Sequence, residues 1–149
     1  SGPAALTSLL RLGTDGVVST SDALAAARTV EDAPATLAAL LHAGARGLDP
    51  RLTIAAVRDL RPAGGVEWLD ERAKGSRELR EDALDALGAF PLMLAAYVRE
   101  QPKPPAPWTK IAVWQRLGSA PGFVGAVDGI RGAVDVSTVN VPLSELRAA

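Results

Sequence analysis

At 149 residues, with 48% hydrophobic and 22% charged residues, the chain has the length of one ordinary domain. It can bury roughly two thirds of the surface that an unfolded chain of its size exposes, and its composition lies outside the disordered range. Sixteen basic and seventeen acidic residues leave a net charge of -1, so no global field steers it to phosphate backbones or anionic membranes, and nucleic acid is a disfavoured partner.

The absence of cysteine excludes disulfide frameworks, thiolate catalysis and cysteine zinc sites. It fits a reducing compartment, with the cytoplasm as the expected location. No apolar run approaches the roughly eighteen residues of a membrane span, and no basic segment followed by an apolar signal core opens the chain. The start, Ser1-Gly2 without Met, reads as a tag scar or an excised piece of a longer protein.

In chain order, residues 3–31 read as a first helix pair, its second helix spanning Ser21 to Val30 with apolar residues at helical spacing. The next pair, about 33–61, has an apolar stretch from Leu37 to His42 and a second helix beginning at Arg51 after Asp49-Pro50. Superposing Ser21–Val30 on Arg51–Leu60, an offset of 30, aligns Ala25 with Ala55, Ala26 with Ala56 and Arg28 with Arg58. A third pair, about 64–88, follows Pro62-Ala63-Gly64-Gly65. It carries Val66 to Leu69, then Leu79, Ala83, Leu84 and Leu87 as one stripe opposite Glu78, Glu81, Asp82 and Asp85. A fourth, about 90–118, is expected from Leu92–Val98 and a helix from Trp108 through Val113, Trp114 and Leu117. A closing pair over about 121–149 uses Phe123–Ile130 and Pro142–Leu146. The run Val134, Val136, Val139 and Val141 is expected as a short extended segment before the last helix. The marks at 21, 51, 78, 108 and about 139 are nearly even, which signals an internal repeat with a period of about 27–31 residues.

No catalytic constellation emerges. His42 is the sole histidine, so neither a histidine metal site nor a serine triad can be assembled, and its neighbours Leu40 and Leu41 suggest a partly buried structural side chain. Adjacent carboxylates such as Asp70-Glu71 and Glu81-Asp82 do not face one another on a helix. The glycines lack the lysine and serine of a phosphate loop. Neither an enzymatic activity nor a cofactor or metal is expected. Gln101-Pro102-Lys103-Pro104-Pro105-Ala106-Pro107-Trp108 favours a stiff extended rod that ends on Trp108, either as a spacer before the fourth second helix or as a rim presented to a partner. Charge drifts along the chain: residues 63–101 carry -3, residues 102–149 carry +2. The plain reading is solvated helix faces, the alternative a basic end that grips an acidic partner.

Leu79-Arg80-Glu81-Asp82-Ala83-Leu84-Asp85-Ala86-Leu87-Gly88, with the matching Leu117-Gly118 ending, resembles the second helix of the short HEAT-like repeats of bacterial α-solenoids. The resemblance covers about residues 21–132 and implies an all-α, right-handed α-solenoid of about five antiparallel helix pairs in one domain spanning 1–149. Such stacks present a concave face lined by their second helices and mostly bind other macromolecules. On that basis the face would carry Arg51, Arg58, Arg80, Glu81, Asp85, Lys110 and Gln115, with Trp108 at its rim, and the expected partner is another protein. Two alternatives stand beside this scaffold reading. Some HEAT-like proteins repair alkylated DNA with tryptophans and a carboxylate, for which Trp68, Trp108, Trp114 and Asp128 supply the residue types. Residues 4–47, where Gly16–Leu24 resembles the turn into a helix of a transcription regulator, could instead form a winged helix with Arg28 and Arg46 on its recognition helix.

Overall fold

A computed structural model describes residues 2–96, 100–116 and 136–147, which contain seven helices and a three-stranded sheet. The chain divides into two compact units, Ser1–Phe90 and Pro91–Ala148. Helices in the first unit are α1 (Gly2–Thr14), α2 (Thr20–Ala27), α3 (Ala33–His42), α4 (Pro50–Leu60), α5 (Gly65–Gly75) and α6 (Arg80–Leu87).

Local chemistry fixes the ends of these helices. Ser19 precedes α2 in extended backbone, and its Oγ accepts from the Asp22 N–H at 3.1 Å while donating to the Asp22 carboxylate at 2.7 Å, satisfying an amide the first turn leaves unpaired. Asp49 does the same for α4, accepting from the Arg51 N–H at 2.9 Å, with Pro50 in the first turn where no amide partner is needed. Gly64, at φ 76°, supplies the left-handed residue that turns the chain into α5.

Packing follows the helical period. Leu6 and Leu10 of α1, Leu37 of α3, Leu52 and Val57 of α4 and Leu69 of α5 form the buried centre. Small residues let the backbones approach: Ala23 and Ala27 are buried on α2, Ala83 and Ala86 on α6. At Gly13 an added Cβ would lie 2.8 Å from Leu52 Cδ2 and 3.0 Å from Ala23 Cβ, so this glycine is required by the convergence of α1, α2 and α4. Helix α1 contacts α2, α3 and α4. Beyond it, α2 contacts α4, α3 contacts α4 and α5, α4 contacts α6, and α5 contacts α6.

Strands and one short helix build the second unit: β1 (Met93–Ala95), β2 (Val113–Arg116), β3 (Val136–Val139) and α7 (Leu143–Arg147). Central β2 pairs parallel with β1, Leu94 opposite Trp114, and antiparallel with β3, Trp114 opposite Thr138. The Trp114 indole N–H donates to the Ala96 carbonyl at 2.9 Å. Asn140 ties β2 down: its amide N–H donates to Ala112 O at 2.9 Å and its side chain donates to Ile111 O at 3.0 Å and Gln101 Oε1 at 3.1 Å.

Three expectations are corrected here. The all-α class gives way to a mostly helical chain with a small sheet, because the fourth helix pair does not form: Leu92–Ala96 holds β1 and the stretch after Trp108 holds β2. Ile111, Ala112, Val113 and Trp114 are consecutively buried, the pattern of a central strand rather than of an amphipathic helix. The proline-rich rod therefore leads toward a strand, turning where the Trp108 N–H donates to Pro105 O at 3.0 Å. In α6 the buried stripe is Ala83, Ala86, Leu87 and then Phe90, whereas Leu84 is 39% exposed. His42 is exposed, not partly buried. Residues 2–87 hold the six helices α1–α6, and the extended segment before the last helix is β3. The whole stretch from Leu117 to Asp135, with Phe123–Ile130 and Asp128, lies outside the described residues.

Candidate functional site

The exposed faces of α4 and α6 enclose a shallow groove of about 200 Å³. Burial of Leu52, Ile54, Ala56 and Val57 leaves Arg51, Ala55 and Arg58 on the outer side of α4, at positions i, i+4 and i+7. On α6, burial of Ala83, Ala86 and Leu87 leaves Asp82 and Asp85 facing them. Ile54 and Ala86 form the apolar floor. Two arginines thus line one wall and two aspartates the other.

Ion pairing across and beside this groove is uneven. Arg51 Nε lies 3.7 Å from Asp82 Oδ2, with the two side chains 67% and 49% exposed, so the pair is solvent-screened. Arg58 Nε lies 3.6 Å from its neighbour Asp59, whose other oxygen accepts from Arg28 Nη2 at 2.5 Å. Asp59 is only 12% exposed and holds both arginines. Asp85 makes no ion pair with any described residue. The α2–α4 side therefore carries a surplus positive charge and the α6 wall a surplus negative one.

Of the residues expected on a binding face, Arg51, Arg58 and Asp85 are brought together. Glu81 is exposed on α6 but does not line the groove. Arg80 braces the joint between two helices, its Nε donating at 3.1 Å to the Ala73 carbonyl near the end of α5. Trp108, Lys110 and Gln115 belong to the second unit, where Lys110 Nζ pairs with Glu145 at 2.8 Å. Sequence reasoning left Asp82, Arg28 and Asp59 off this face. Alignment of Arg28 with Arg58 in the repeat was the available signal for a charged row running from α2 to α4.

A second cleft, about 320 Å³, lies between α3 and α5 and is lined in part by His42, Glu67, Trp68 and Glu71. Among the described residues the buried Trp68 indole N–H has no hydrogen-bond partner, and the Arg72 guanidinium sits 4.7 Å from its ring centroid. Among the described residues no group of three or more His, Asp or Glu side chains could hold a metal ion, and no helix is long and apolar enough to cross a membrane. Residues 4–47 form α1–α3 without a strand to serve as a wing. No protein-family model, curated protein or solved structure is significantly similar to the chain.

Proposed function

We propose that Ser1–Phe90 is a non-catalytic protein-interaction module, a short α-solenoid of three helix pairs, right-handed like the HEAT-like repeats it resembles, that binds a protein through the face of α2, α4 and α6. The observation that carries this reading is the groove in which Arg51 and Arg58 oppose Asp82 and Asp85 over an apolar floor. The order of contacts supports it: α1, α3 and α5 touch in series, as do α2, α4 and α6, which is how stacked pairs share one core. A polar protein surface matches walls of both signs, whereas the carboxylates of Asp82 and Asp85 repel nucleic-acid phosphates. In a cysteine-free chain the setting in keeping with this role is the cytoplasm.

The test is quantitative affinity purification with three baits: wild type, Arg51→Glu/Arg58→Glu, and Glu67→Ala/Glu71→Ala on the α3–α5 side. A protein retained by the wild type and the α5 variant but lost by the α4 variant is the expected result. Equal recovery by all three removes the groove as the binding face. A gel-shift series from low salt upward tests the nucleic-acid reading, which requires binding that weakens as salt rises.

A further inference from the structure

We infer that the α4–α6 groove is a self-complementary contact, and that a second copy of this chain docks on it about a twofold axis parallel to the groove. The inference deepens the interaction-module reading and rests on the same surface.

Its basis is the arrangement of charge. Arg51, in the first turn of α4, pairs with Asp82, in the first turn of α6, so both helices begin at the same end of the groove. The positive wall is therefore Arg51 followed by Arg58, and the negative wall Asp82 followed by Asp85, running side by side. When two identical faces meet, the twofold axis lies in the plane between them. An axis along the groove exchanges left and right and keeps the direction of the helices, setting each arginine wall over the partner's aspartate wall. An axis across the groove would instead set arginine over arginine. Only the first geometry is attractive, so the charges select the orientation as well as the contact.

Pairing within one chain leaves these charges available. Asp59 is shared by Arg28 and Arg58, and Arg58 is held only at 3.6 Å with its side chain 53% exposed. Asp85 has no ion-pair partner among the described residues. The twofold brings the under-compensated Arg58 of each copy to the Asp85 of the other, forming two symmetric pairs over the small apolar strip of Ile54, Ala55 and Ala86. Because exposed ion pairs contribute little individually, the association is weak and weakens further as salt screens it.

Sedimentation equilibrium of the full chain over a concentration series, at low and high salt, tests this with Arg58→Glu and Asp85→Arg. The wild type is expected to self-associate at low salt. Each variant alone sets like charges opposite one another and is expected to lose self-association at least tenfold in the dimer constant. An equimolar mixture of the two is expected to regain it, since glutamate at 58 in one chain meets arginine at 85 in the other, and Asp85 of the first meets Arg58 of the second. Far-ultraviolet circular dichroism confirms that both exposed substitutions leave the helices intact. A wild type that stays monomeric at its highest soluble concentration in low salt overturns the inference, as does a dimer that neither variant weakens or a mixture that fails to recover. Were the chain monomeric while the affinity purification still loses a different protein with the α4 variant, the interaction module would stand without self-association. Were the dimer confirmed and no other protein lost, self-association would stand alone.

Discussion

The register of α6 is decided by a comparison of Leu84 and Leu87, three residues apart on one helix. Leu87 is 6% exposed and Leu84 39%. Truncating Leu87 to alanine removes a fully packed side chain and leaves a cavity bounded by well-ordered neighbours, a change that costs about 2–5 kcal/mol. The same truncation at Leu84 forfeits only part of a leucine's burial, worth about 1.5–3 kcal/mol in full, and solvent fills the space, so about 1 kcal/mol is expected. Alanine is the better helix former at both sites, which offsets a few tenths of a kcal/mol in each case. At about 4–8 °C per kcal/mol for a unit of this size, Leu87→Ala should lower the melting temperature by roughly 8–40 °C and Leu84→Ala by less than about 8 °C. Thermal unfolding followed at the helical circular-dichroism band reads both. If Leu84→Ala proves the more damaging, Leu84 turns inward with the rest of the Leu79, Ala83, Leu84 and Leu87 stripe suggested by sequence spacing, and the groove built from Asp82 and Asp85 is misplaced with it.

Identical chemistry at the two buried tryptophans should give unequal results. Trp114→Phe strips the Ala96 carbonyl of its 2.9 Å donor and should cost about 1 kcal/mol more than the ring-size change alone. Trp68→Phe removes an indole N–H that has no partner among the described residues and so loses no hydrogen bond to them. Differential scanning calorimetry of the two variants should place Trp114→Phe lower, and the reverse order would refute the bonding assigned to Trp114. Ser19→Ala deletes the cap of α2 and should lower stability by about 1 kcal/mol, measured by urea unfolding, whereas an unchanged midpoint would show that Asp22 and water satisfy that helix end alone. Gly13→Ala should lower stability, and with it the melting temperature, despite alanine's better helix propensity, at a cost of about 1–3 kcal/mol from overpacking against Leu52 and Ala23. A stabilised Gly13→Ala protein would mean that α1 does not approach α2 and α4 so closely.

Helix positions in the first unit are written in short-range chemistry and are legible from the chain alone. Ser19 and Asp49 cap amides within three residues of themselves, Pro50 and Gly64 constrain single backbone angles, and apolar spacing repeats with the helical period. That is enough to place α2, α4 and α6 near residues 21, 51 and 78, and to put Arg51, Arg58 and Asp85 on solvent-facing surfaces. Facts that depend on long-range contact could not be read this way. Whether Leu84 or Ala86 turns inward depends on where α4 and α5 approach α6, since both choices satisfy a helical stripe. The run Ile111–Trp114 is apolar on every side, which suits a buried helix or a central strand alike until β1 and β3 supply hydrogen-bond partners on both edges. Pairing of charges was equally hidden: Asp59 gathers Arg28 from thirty-one residues away, and only the packing of α2 on α4 and of α4 on α6 turns separate surface residues into two opposed walls.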